Sequence, residues 1–196
     1  MKTVIGVTGG IASGKSNVCS IIQEHGYEVI DCDAISKELS KKGGLLYDAI
    51  LKEFGKKYLL DNGEIDRKKL GSLIFNNDDQ RIILDKITHP VICQEVKKRI
   101  DNFKDGIIFL EAPLLYETHL DDLCNKVICV YLEEKYQVER LMAREGITKS
   151  YALAKIHSQM DLNIKKDLAQ YIIDTKGTFD ETRVQVENVI KEVKGV

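Results

Sequence analysis

Residues Gly9 to Ser16 read GGIASGKS, and no other stretch constrains the chain as much. Gly9 and Gly14 bracket four residues, and Lys15 and Ser16 follow, which is the G-x-x-x-x-G-K-[ST] spacing of a phosphate-binding loop. The preceding TVIGVTG reads as a strand and the following KSNVCSIIQEHG as a helix, the context that spacing requires. Glycines let the backbone wrap and aim its N–H groups inward, and a helix N-terminus adds favourable dipole. Gly10, Ile11, Ala12, Ser13 and Gly14 are thus candidate backbone donors to a nucleotide phosphate. Lys15 reaches the terminal phosphates and the Ser16 hydroxyl can hold Mg²⁺. By chance, the fixed positions recur in fewer than roughly one in a hundred chains of this size.

The rest of the chain alternates. YEVID (27–31), IIFLE (107–111), VICVYL (127–132) and YIID (171–174) are short apolar runs rich in β-branched and aromatic residues. Such runs are expected of strands covered on both faces, and helical patterns separate them. This predicts an α/β fold with a parallel five-stranded sheet. Two segments exceed simple crossovers. Residues 34–103 show only helix-like patterns, with a start at Asp66 and an amphipathic run from Asp78 to Phe103 that Pro90 is expected to start or bend. Residues 133–161 read as two helices broken at Gly146. The expected organisation is a nucleotide-binding core (1–33, 104–132 and 162–196), a helical insertion (34–103) and a helical lid (133–161).

Composition narrows the partners. With 43% hydrophobic residues in 196, a full core is available, and a net charge of −2 leaves no global basic excess for nucleic acid. No apolar run approaches the roughly 20 residues of a membrane span. No secretory signal is evident, so a soluble, cytoplasmic protein is expected. Five cysteines without a C-x-x-C pair argue against a disulfide framework or zinc site and read as buried thiols.

Guanine specificity is unsupported. Asn125 and Lys126 begin an N-K-x-D-like run, but Ile128 stands where the aspartate belongs, and the run precedes its strand. A small-molecule kinase needs a base, an acceptor pocket and cations around the transferred group. Asp33 in VIDCDAI is expected to end the second strand on the P-loop side, with Asp31 alternating onto the same side and Cys32 opposite. Asp33 also reads as an N-cap for a helix beginning at Ala34. Arg140 and Arg144, four apart, share a helix face and could close over ATP; the plainer alternative is a solvated face paired with glutamates.

VTGGIASGKS, VIDCDAI, THPVI, EAPLLYE, RLMAREGITKSYALAKIHSQM and AQYIIDTKG occur in the order and spacing of the dephospho-coenzyme A kinase family, which the chain resembles over nearly its whole length. The resemblance implies a P-loop kinase fold with a core, an acceptor domain and a mobile lid. It implies transfer of phosphoryl from ATP-Mg²⁺ to the ribose 3′-hydroxyl of dephospho-CoA. It makes Asp33 the catalytic base, places Arg140 on the ATP phosphates and puts the loop with Gly177 near adenine. His89, before Pro90, is either a helix-start residue or part of the acceptor pocket. Leu114 and Leu115 are core residues or an apolar wall for the acceptor. Lys37, Lys41 and Lys42 read as solvated surface. Four positions depart from the family pattern: Ala12 for a common glycine, Glu111 for aspartate, Lys155 for arginine and Thr175 for asparagine. A monomer is expected. The alternatives are a nucleoside-monophosphate-type kinase, whose acceptor phosphate needs arginines and no base, and a nucleotide-binding regulatory module, for which switch motifs are missing.

Overall fold

A computed structural model describes residues 2–195. Five strands, β1 (Lys2–Gly9), β2 (Glu28–Asp31), β3 (Gly106–Glu111), β4 (Lys126–Tyr131) and β5 (Tyr171–Asp174), form one sheet in the order β2-β3-β1-β4-β5. β1 pairs in parallel with β3 and β4, and β4 with β5. Both faces are covered, as the continuous apolar runs require. On one face, Ile5, Val7, Phe109, Ile128, Val130 and Ile173 pack against α1 (Lys15–Glu24) and α9 (Phe179–Lys194), through Val18, Ile21, Ile22, Val186 and Ile190. On the other, Leu115 and the Cys124 thiol press so closely on Gly6 that a Cβ there would lie 2.8 Å from Leu115 Cδ2. α8 (Leu162–Leu168) packs against β1 and β4.

The chain divides into two compact units, one made of the residues up to Ile30 with those from Asn102 onward, the other of Asp31–Asp101. The second is helical: α2 (Cys32–Leu39), α3 (Tyr47–Phe54), α4 (Arg67–Phe75) and α5 (Asp78–Asn102). It buries Ile35, Leu46, Ile50, Phe54 and Leu70, and Phe54 meets Tyr58 edge-on at 6.3 Å. Arg99 ties α5 to α2 by bonding Glu38 (2.8 Å) and Glu95 (3.0 Å). Asp66 caps α4 by accepting from Lys69 N, as the sequence led us to expect.

Two expectations are corrected in this unit. β2 ends at Asp31 and α2 begins at Cys32, so Asp33 lies in a helix and not at a strand end. The period-two argument for Asp31 and Asp33 lapses with it. The cap is Asp31, whose Oδ1 accepts from Asp33 N (2.8 Å) and Ala34 N (3.0 Å). Pro90 neither starts nor ends a helix; α5 runs through it for 25 residues. His89 is accordingly a mid-helix residue, 3.3 Å from Asp85 one turn earlier.

In the first unit, α6 (Glu134–Glu145) and α7 (Lys149–His157) form a hairpin broken at Gly146, whose φ of 65° ends α6 in a left-handed cap. Val138, Leu141 and Ala152 form its small core, and Ile11 and Ala12 of the phosphate loop pack against that core.

Candidate active site

The loop from Gly9 to Ser16 leaves β1 and enters α1. Its glycines have distinct reasons. A Cβ on Gly9 would lie 2.5 Å from the Val130 carbonyl oxygen, so the approach to β4 requires glycine. Gly14 sits at φ 92°, a left-handed conformation in which glycine avoids a Cβ clash. Ala12 also takes a left-handed conformation, φ 59°, and does so without that licence. Gly14 is the N-cap of α1 and offers no side chain to its N–H groups, so no side chain of its own competes for those amides. The Lys15 ammonium lies 3.4 Å from both the Gly9 and Gly10 carbonyls.

A cavity of 470 Å³ opens over this loop. Ala12, Ser13, Gly14, Lys15 and Ser16 line it together with Arg140, Arg144, Thr175 and Gly177. The cofactor candidates read from the sequence gather here, except Gly10, which lines a neighbouring 310 Å³ cavity with Gln137 and Gln159, and Ile11, which packs on the α6–α7 core. The two arginines differ. Arg140 donates from Nη2 to the Thr175 carbonyl (2.6 Å) and from Nη1 towards the Thr175 hydroxyl (3.4 Å). Arg144 pairs with Glu145 (2.8 Å) and is largely exposed. Gly177 precedes the N-terminus of α9, where Thr178 and Glu181 cap each other reciprocally. That T-x-x-E box is legible in the sequence as a helix start.

Mg²⁺ fits this site as a guest of the nucleotide. Among the described residues no cluster of three histidine, cysteine or acidic side chains could hold a metal alone. The exposed Ser16 hydroxyl, beside Lys15 on the cavity wall, offers one protein ligand to a phosphate-borne Mg²⁺.

Of the acceptor candidates in this unit, Leu115 is fully buried and Leu114 half-buried. Asp33 and His89 lie in the other unit, on α2 and α5.

Three sets of side-chain contacts at the site were not read from the sequence. Thr175 contacts both Arg140 and the loop, its hydroxyl donating to the Ser13 carbonyl at 2.6 Å. Gln137, almost fully buried, donates to the Leu132 carbonyl at 2.7 Å and abuts Gly10, where a Cβ would meet its amide oxygen at 2.5 Å. Lys165, fully buried, bonds the Pro113 carbonyl (2.6 Å) and Glu117 (2.8 Å). Glu117 also accepts from Met160 N, so this pair fastens the PLLYE loop to the turn before α8. Below it, burial pushes the Cys129 thiol up to about 11 despite the charges of Lys165 and Lys15. Burial, then the Asp121 charge, pushes Cys124 up to about 12, so neither thiol is a nucleophile at neutral pH.

A parallel sheet whose first strand delivers a G-x-x-x-x-G-K-S loop onto a helix N-terminus, with arginines lining the same cavity, defines a P-loop kinase. Known proteins narrow the class. The family model described as dephospho-CoA kinase matches residues 3–181. A dephospho-CoA kinase of Carboxydothermus hydrogenoformans is 41% identical over 97% of this chain and 94% of its own. The structure of dephospho-CoA kinase from Campylobacter jejuni superposes with a TM-score of 0.71 at 32% identity, covering 100% of this chain and 99% of that one. That of TT1252 from Thermus thermophilus gives 0.79 at 26% identity, covering 97% of each. The chain belongs to the dephospho-CoA kinase family.

Proposed function

We propose that the protein transfers the γ-phosphoryl group of ATP to the ribose 3′-hydroxyl of dephospho-CoA, giving CoA and ADP. The gathering of Gly14, Lys15, Ser16, Arg140 and Arg144 around one cavity supports this reading most directly. The loop amides and Lys15 hold the β- and γ-phosphates, and Arg140, assisted by Arg144, neutralises the transferred group. Ser16 would hold a Mg²⁺ brought in with the nucleotide, and the ion would supply further charge neutralisation. Asp33 takes the proton of the 3′-hydroxyl. That oxygen bonds to the γ-phosphorus as the bond to the bridging oxygen breaks, and ADP leaves with the electron pair. First-turn placement on α2 favours a negative carboxylate electrostatically, and Asp31 already serves as the cap.

In this reading residues 34–103 form the acceptor domain, with His89 and the Leu114–Leu115 loop contributing to the acceptor site, and residues 133–161 form a lid that excludes water. Residues after β5, including Gly177, lie along the adenine. The protein works as a cytoplasmic monomer on small molecules, without nucleic-acid or membrane partners.

The deciding experiment incubates the protein with ATP-Mg²⁺ and dephospho-CoA and measures product mass. One added phosphoryl group on the acceptor is expected. Intact nucleotide binding without any CoA formed would overturn the proposal.

A further inference from the structure

We infer that Thr175 is a positioning residue that couples Arg140 to the phosphate loop through its hydroxyl. The inference rests on the reading of Arg140 as a phosphate ligand. Thr175 follows β5 and is 5% exposed. Its single hydroxyl proton goes to the Ser13 carbonyl, since a carbonyl only accepts and the 2.6 Å separation is the shortest that oxygen makes. The Tyr131 carbonyl lies farther off at 3.4 Å. The lone pairs then face Arg140 Nη1 at 3.4 Å, while the Thr175 carbonyl takes Nη2 at 2.6 Å. Both terminal nitrogens of Arg140 are therefore directed at one residue.

The same side chain fixes the loop. Its Cγ2 methyl sits 3.5 Å from where a Gly14 Cβ would be. In a trans peptide the C=O and the following N–H point in opposite directions. Holding the Ser13 carbonyl therefore sets the direction of the Gly14 N–H, one of the donors the loop offers to phosphate. One hydroxyl thus aligns two phosphate-binding elements that are more than a hundred residues apart in sequence. Valine would keep the shape and lose the relay. Serine would keep the relay.

The test is a double-mutant cycle read by turnover and by calorimetric titration with ATP. Thr175→Val should lower kcat/KM for ATP about 10- to 100-fold, and Thr175→Ser should restore it to within about threefold. In an Arg140→Ala background, Thr175→Val should cost clearly less than in the wild type, because only the bond to the Ser13 carbonyl is then left to lose. Thr175→Ala replaces the valine variant if that one does not fold. Equal losses in both backgrounds, or a lowered melting temperature with kcat/KM unchanged, would overturn the inference. If the wild type forms no CoA while ATP affinity still shows the coupling, the kinase reading falls and the Thr175 inference stands.

Discussion

Asp31 accepts two backbone N–H groups at the start of α2, and Asp33 stands in the first turn behind it. The two acids should therefore fail differently when removed. Asp31→Ala should cost about 1 kcal/mol of stability, the usual worth of an N-cap. Asp33→Asn should leave the fold and ATP affinity intact and lower turnover about 10²- to 10⁴-fold. Denaturant melts, calorimetry and steady-state rates on both variants check this, and near-normal turnover in Asp33→Asn would remove it from the mechanism. The sequence flagged both carboxylates because an acid pair ending an apolar run is visible in the pattern. It misassigned the cap, because a helix start two residues early is set by backbone hydrogen bonds that the pattern does not show. Ala12 is a comparable case. The family resemblance implies a glycine at that position. Only the backbone shows that the alanine is held left-handed, at a cost of about 1–2 kcal/mol.

The α6–α7 hairpin is clasped at the Gly146 turn by Glu145, which bonds Lys155 (2.5 Å) and Arg144 (2.8 Å). Burial opposes ionisation of Glu145, yet the hydrogen bonds from Lys155 and Arg144 outweigh it and hold the carboxyl below its ordinary 4.5. A carboxyl lowered in the folded state stabilises fully above its unfolded value, and that contribution vanishes as pH falls through the folded value. Glu145→Gln should thus lower the melting temperature at pH 7 by about 2–4 °C, corresponding to ~1 kcal/mol for a partly exposed pair. The gap should shrink as pH falls below the ordinary 4.5 and close below the lowered folded value. Thermal melts of both proteins across that range measure it, and a pH-independent gap would assign the loss to packing. Hairpin and break were legible because Gly146 interrupts the apolar spacing. No helix starts at Pro90, because helix continuity through a proline depends on the packing of the flanking turns. The strands were legible because β-branched runs bounded by turn residues carry a period of their own. Gln137 and Lys165 were not legible, because a polar residue that fills a buried niche looks in sequence like any solvated one.

The division into residues up to Ile30 with those from Asn102 onward, against Asp31–Asp101, gives the whole molecule a testable partition of labour. If the first unit holds the nucleotide and the helical unit the acceptor, the two ligands should slow amide exchange in different places. ADP should protect the amides of residues 12–16 and those around Thr175, since these line the cavity over the loop. At about 100 times its dissociation constant, a ligand adds ~2.7 kcal/mol to any opening that releases it, which slows exchange there about 100-fold. Dephospho-CoA should add protection on α2 and α5, including the amides near Asp33 and His89, that ADP alone does not give. Because protection follows the unit that must open to release a ligand, the two maps separate binding roles that turnover rates combine. Protection by dephospho-CoA confined to the first unit would move the acceptor site out of the helical unit. It would then leave Asp33 without a substrate to act on.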